Sequence, residues 1–210
     1  MKVLLHPVYF ANCATYAVIA QQDVVWEVHD NYQKQTFRNR TYICTDRGRL
    51  MLNIPIQHVG GEQGRQKYND VRIDNSYAWQ RQHLKTLQTA YRTSPFFEFY
   101  EDELIPFFEK SHTFLLDMNF EIQDLIISLL GLDITIQKTN NYKVNPDNLK
   151  DARFMVNAKK ELVWPQTNYV QVFEDRHGFV KNSSILDLLF NEGPNALAYL
   201  RSQELSMLNV

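Results

Sequence analysis

With 210 residues, 44% of them hydrophobic, the chain can bury one sizeable core, and a single domain over 1–210 is the economical division. Its 22 Lys and Arg against 24 Asp and Glu give a net charge of −2. That balance excludes broad electrostatic binding to nucleic acid or to an anionic membrane, so any anion site must be local.

In chain order, Lys2-Val3-Leu4-Leu5 reads as a short apolar strand ended by Pro7, residues 11–22 as a helix, and Val24-Val25-Trp26-Glu27-Val28 as a second strand. Strand, turn, helix, strand is the start of an α/β unit with parallel pairing. His6 then falls at the carboxyl end of the first strand, outside which the ligands of open α/β sheets lie. A surface histidine in a turn is the plainer alternative. The apolar run after Lys2 is broken by His6-Pro7 and Asn12 too early for a signal peptide, and no stretch approaches the roughly 20 apolar residues of a membrane span.

The next stretch, Asp30 to Ile43, carries the strongest chemical signal. Read as a strand from Arg38 to Cys44, it projects Arg38 and Arg40 to one face, about 7 Å apart, while Phe37 and Ile43 face the other way. Two guanidiniums so placed form a fork for a carboxylate or phosphate. Exposed arginines on an edge strand also serve simply to deter aggregation. A second strand, residues 49–56, follows the turn Thr45-Asp46-Arg47-Gly48, and Val71-Arg72-Ile73 adds a short third. Asp30, at the end of the Trp26 strand, can orient an arginine of the fork or a substrate amine.

From Tyr77 the period becomes helical. Leu84, Leu87 and Tyr91 share a face with Trp79 and His83 beside them, where a neutral imidazole can act as acid, base or donor, or rest as a satisfied core histidine. Ser94-Pro95 has the form of a cap opening the next helix. Phe114 through Leu130 gives the longest amphipathic helix, stopped at Gly131, and Ile134 and Ile136 alternate as one more strand. Residues 137–148 are polar and lack either period, which marks a mobile loop. Ser184-Ile185-Leu186-Asp187 resembles a capping box, and the all-round apolar helix after it ends at Asn191-Glu192-Gly193-Pro194. The expected architecture is α/β: a mixed sheet flanked by helices, with a strand-rich N-terminal third and a helical middle.

Known catalytic motifs are absent. Gly60-Gly61-Glu62-Gln63-Gly64-Arg65 lacks the Lys-Ser/Thr of a P-loop and reads as a flexible loop, and no Gly-x-Ser-x-Gly elbow exists. The six histidines form no ligand spacing, so no metal site is expected, and no motif specifies a cofactor. Cys13 and Cys44 fall outside any Cys-x-x-Cys pattern, which fits a reduced, cytoplasmic protein.

Taken together with Trp79-Gln80-Arg81-Gln82-His83, Tyr91 to Tyr100, Tyr169 to Phe173 and Asn182 to Pro194, the Asp30 to Ile43 stretch resembles the WbqC-like protein family over nearly the whole chain. The family pattern has a Gln-Pro-aromatic-Phe-Pro turn after the first strand, then an Asp and an Asn-Arg pair. Here the turn reads His6-Pro7-Val8-Tyr9-Phe10-Ala11, so His6 and Ala11 depart from it. The resemblance implies a cytoplasmic transferase of bacterial surface-polysaccharide (O-antigen, lipopolysaccharide) precursor synthesis, with glycyl or acyl transfer to an amino sugar as its reaction.

In that reading Arg38 and Arg40 hold an anionic group of a small-molecule substrate, a sugar nucleotide or an activated acyl donor. Asp30, His83 and His6 handle protons or the acceptor amine, and Tyr9 and Phe10 stack on a sugar or base. All should gather at one end of the sheet, with His83 supplied by the helix above. Two alternatives belong to other classes: a non-catalytic protein that binds a sugar nucleotide or a partner of the pathway, and an adaptor that presents Phe96, Phe97, Phe99 and Tyr100 as an exposed patch.

Overall fold

The computed structural model describes residues 1–57 and 65–209. The glycine-rich segment at 60–64 and His58 lie outside them.

β1 (Lys2–Leu5), α1 (Cys13–Gln21) and β2 (Val24–Trp26) form the expected opening unit, with Val3 opposite Val24 and Leu5 opposite Trp26 in a parallel ladder. Two short strands complete the sheet: β5 (Gln137–Lys138) pairs with β2 and β6 (Leu149–Asp151) with β1, giving the order β5-β2-β1-β6. All pairings are parallel, so the carboxyl ends of these strands open onto one edge. The strand expected at Ile134 and Ile136 begins later. Those isoleucines pack half-buried against the core, and the ladder starts at Gln137, inside the segment expected to be a loop.

A second sheet is the antiparallel hairpin of β3 (Arg40–Thr45) and β4 (Gly48–Asn53), closed at Asp46-Arg47 with Gly48 at a φ of 90° that suits glycine. Here the expectation needs correction, because Arg38 is not part of the strand. Residues 37 and 38 form a turn, and the ladder begins with Arg40 opposite Asn53. The 71–73 strand is reduced to isolated bridges, Ile56 with Ile73 and Arg72 with Phe114.

The middle is helical, as expected: α2 (Trp79–Tyr91), α3 (Phe97–Glu109) and α4 (Leu115–Leu129), the last ended by Gly131 at a φ of 66°. Ser94 does not cap α3 with its hydroxyl; the helix begins at Phe97, whose amide donates to the Ser94 carbonyl. The C-terminal region adds α5 (Glu174–His177), α6 (Ile185–Glu192) and α7 (Ala196–Ser202). Ser184 caps α6, its hydroxyl oxygen accepting from the Leu186 amide. Asp187 does not close the capping box. Its fully buried carboxylate accepts from Tyr91, Tyr169 and Gln171, and so ties α6 to α2 and to the 169–171 segment. Burial pushes this carboxyl above the usual range against the pull of those three donors.

One core runs through both sheets and the helices. Phe10 packs edge-to-face on Phe107 and beside Phe108, and each such buried ring contributes roughly 2–3 kcal/mol. The adaptor patch does not form: Phe97 and Tyr100 are buried and Phe96 half-buried, leaving Phe99 alone exposed. Among the described residues, no helix is long and apolar enough to cross a membrane.

Candidate functional site

The turn after β1 is held from several sides. Pro7 accepts from the Tyr68 hydroxyl at 2.7 Å, Tyr9 donates its amide to Phe37, and the Phe10 carbonyl accepts from both Thr41 and Ser184 hydroxyls. Phe10 sits at a φ of 35°, which a bulky residue tolerates only where its surroundings fix it. The result is a rigid shelf that places His6 at the carboxyl edge of the parallel sheet.

There it meets two residues that the sequence singled out. Asp30 Oδ2 accepts from Arg38 Nη2 at 2.8 Å and lies 3.3 Å from His6 Nε2, while Arg38 Nη2 lies 3.0 Å from the same ring nitrogen. Arg38 is completely buried, yet its Nε and Nη1 have no partner among the described residues. The Tyr68 ring backs the guanidinium at 5.1 Å, and Asn119 Nδ2 fixes the Arg38 carbonyl at 2.7 Å.

The electrostatics follow from this packing. Burial drives His6 down to about 4, Arg38 adds to that, and Asp30 opposes it, so the ring is neutral at physiological pH. Burial alone raises Asp30, but the His6 hydrogen bond and the nearby positive charge outweigh it and hold the carboxyl below its usual range. The cluster is therefore a carboxylate, a guanidinium and a neutral imidazole. Further groups stand on the same edge: Glu27 accepts from Thr139 after β5, and Arg153 after β6 pairs with Asp151 at 2.6 Å and binds the carbonyls of Lys143 and Val144.

A cavity of about 510 Å³ is lined among others by Tyr32, Lys34, Asn39, Arg40, Asp74 and Tyr77; Asn39 and Arg40 follow Arg38 in sequence, while none of the three cluster residues lines it. Its size falls within the range of small-molecule sites. Arg40 Nε and Asn39 Oδ1, on two of the lining residues, are buried and have no partner among the described residues. Lys34 and Arg40 supply positive charge. Hydrogen bonds from Ser76 hold the Asp74 carboxyl below the usual range, so a negative group is present as well. Tyr32 joins cavity and cluster: burial raises its hydroxyl, and Arg40 and Arg38 both act against that rise.

The structure thus brings His6, Asp30 and Arg38 together and sets Arg40 in the wall of the cavity, with Tyr32 and Asn39 in the same lining. It does not bring Tyr9, Phe10 or His83 to them. Tyr9 and Phe10 are core residues with no exposed ring face, and the Tyr9 hydroxyl is 2.7 Å from His83 Nδ1. Burial lowers His83 to about 4, with the Asn53 backbone acting against that shift. Tyr32, Lys34, Asn39, Asp74 and Tyr77 line the cavity and were not singled out as candidates in the sequence. Only Asn39 had a signal, in the Asn-Arg pair of the family pattern.

The model of the WbqC-like protein family matches residues 7–163, about three quarters of the chain. The chain belongs to the WbqC-like protein family. That match begins one residue after His6; it covers Asp30, Arg38 and every named residue of the cavity, and it stops before the C-terminal helices. A relative in Mycobacterium tuberculosis (strain ATCC 25618 / H37Rv), Uncharacterized protein Rv1507c, is 28% identical over 196 residues, with 81% of this chain and 84% of that protein covered. No solved structure matches this WbqC-like chain.

Proposed function

We propose that this WbqC-like protein is a cytoplasmic transferase of bacterial surface-polysaccharide precursor synthesis, moving a glycyl or other acyl group onto an amino sugar. The observation that supports it is the cavity at Arg40, lined by two cations, Arg40 and Lys34, and one carboxylate, Asp74, with the fixed ion cluster at Arg38 two residues along the chain. A phosphorylated amino sugar is complementary to that set: Arg40 and Lys34 receive the anion and Asp74 accepts from a sugar hydroxyl, which leaves the amine for Asp30.

Acyl transfer from a thioester to an amine needs the nitrogen held against the carbonyl carbon, its proton accepted, and the C–S bond broken as the amide forms, the proton passing to the departing thiolate. Arg38 and His6 hold Asp30 ionised, and its carboxylate is the partly exposed member of the cluster, with 11% of the side chain accessible. Asp30 orients the amine in this reading, and His6, neutral and rigid, is the proton acceptor. His83 acts indirectly, by fixing Asn53 in the cavity wall.

One observation favours the alternative, a protein that binds such a molecule without transforming it. His6 is buried, and both histidines are shifted well below neutrality, which a binding site tolerates and a general base gains little from. The two readings part in one assay. Wild-type protein is incubated with a nucleotide-linked amino sugar and with glycyl or acetyl thioesters, and the sugar is weighed by mass spectrometry. Gain of an acyl mass supports the transferase; a ligand that raises the unfolding temperature while no donor gives product supports the binding protein.

A further inference from the structure

We propose that the groove between β4 and residues 154–164 is a second ligand site, built for a diphosphate carried on an aromatic base, the nucleoside diphosphate class. The groove encloses about 920 Å³ and has Arg49, Lys159, Lys160 and Lys181 on its walls against the single carboxylate of Glu161. In a chain of net charge −2, that is a local concentration of positive charge of the kind an anion site requires. Arg49 is already positioned, with its guanidinium 3.7 Å from the centre of the Tyr42 ring.

The floor of the groove determines where phosphate can go. In α/β folds a phosphate commonly rests on the first amides of the helix after β1. Here those amides are taken by the protein: Cys13 donates to the Ser183 carbonyl, Ala14 to Asn182 Oδ1 and Thr15 to Asn12 Oδ1. Asn12 and Asn182 both line the groove. Each directs its oxygen at the helix and keeps its Nδ2 donors for whatever fills the space beside it. A phosphate group is therefore held by side chains, the carboxamides below and the cations around.

The rim selects for the rest of the ligand. Phe154 is 44% exposed and Val163 88% exposed, an aromatic face and an aliphatic neighbour beside the cations. A base stacked on Phe154 places its diphosphate among Lys159, Lys160 and Lys181. The groove and the Arg40 cavity lie on either side of one strap, residues 35–37, which is pinned by hydrogen bonds from Phe37 to Val156 at 2.8 Å and from Ala158 to Gln35 at 3.2 Å. Gln35 lines the cavity and Phe37 the groove. The inference stands on the groove's own residues and does not rest on the reading of the Arg40 cavity.

The test is calorimetric titration of UDP, ADP, inorganic pyrophosphate and uridine into the wild type, the double variant Lys159→Glu with Lys181→Glu, Phe154→Ala and Arg40→Lys. Each protein is first shown to unfold at the wild-type temperature; the two lysines are exposed, so the double variant should fold. UDP and ADP are expected to bind the wild type, and charge reversal to weaken them by at least about tenfold. Phe154→Ala should weaken the nucleotides about tenfold and leave pyrophosphate unchanged. Arg40→Lys reports on the cavity: loss of nucleotide affinity confined to that variant, with the double variant unchanged, would place the nucleotide in the cavity and overturn the groove, so that failure here and failure of the cavity reading can be told apart. Absence of nucleotide binding at millimolar concentration, or wild-type affinity in the double variant, would overturn the site; pyrophosphate binding as well as UDP, with no effect of Phe154→Ala, would overturn the nucleotide assignment.

Discussion

Asp30 Oδ2 accepts from Arg38 Nη2 at 2.8 Å, and this bond ties the loop after β2 to the turn before β3. Because Arg38 has no exposed surface, the pair acts as a joint between the parallel sheet and the hairpin rather than as a hand held out to substrate. The arginine left to meet a ligand is Arg40.

Removing one partner of such a pair leaves the other uncompensated. Arg38→Met should destabilise the protein by on the order of 3 kcal/mol, measured by urea unfolding, and the double change Arg38→Met with Asp30→Asn should cost less than the sum of the two single changes. Additive costs would mean that the two residues serve the fold independently.

The two buried histidines make a pH prediction. His6 and His83 are lowered to about 4, so between pH 6.5 and 4 the unfolded chain binds more protons than the folded one, and stability must fall as pH falls across that window. Each should cost on the order of 2 kcal/mol between pH 7 and pH 4.5. Asp30, held below its usual value, adds a loss only at lower pH; Asp187, raised by burial, works in the opposite direction. Unfolding temperatures across this range should drop for the wild type and drop less for His83→Gln. A profile flat from pH 7 to 4.5 would contradict the burial of both rings.

Gly193 follows α6 at a φ of 52°, and a Cβ there would lie 2.5 Å from Cγ of Phe96. Gly193→Ala should therefore cost about 1–3 kcal/mol, through both backbone and overlap. Pairing it with Phe96→Leu should recover part of the loss in chemical denaturation; no recovery would place the cost in the backbone alone.

Ser184 both caps α6 and donates at 3.1 Å to the carbonyl of strained Phe10. Ser184→Ala should cost about 1–2 kcal/mol of unfolding free energy, the upper half of that range coming from the Phe10 bond. A loss below about 0.5 kcal/mol would show that the turn is fixed without it.

Much of this architecture was legible in the sequence, and the failures have physical causes. β1, α1, β2, α2 and α4 carry their own signals, because each buries an apolar face whose period survives in the chain. β5 and β6 do not. Gln137 and Lys138 are polar and exposed, so no hydrophobic pattern marks them, while the alternation at Ile134 and Ile136 reports packing rather than pairing. Arg38 misled for a related reason. Alternation assumes a strand, and here a turn at 37–38 aims Arg38 inward at Asp30 and His6, partners 8 and 32 residues away. That His6 and Asp30 would meet followed from topology, since the strand ends after β1 and β2 share one edge; Arg38 reaches them from the turn before β3, which belongs to a separate sheet and not to the single sheet expected. The burial of Asp187 under two tyrosines, and the entry of Asp74 and Tyr77 into the cavity, are products of tertiary packing with no local trace.

The central claim is that Arg40 grips the anionic group of the substrate. Its most direct test is calorimetric titration of an amino-sugar 1-phosphate into the wild type and Arg40→Lys, both shown beforehand to unfold at the same temperature. Affinity should fall at least about tenfold in the variant although the charge is kept, because an ammonium cannot reproduce the planar fork of a guanidinium. Equal affinity in the two proteins would contradict the account and leave Arg40 as the first residue of a strand and nothing more.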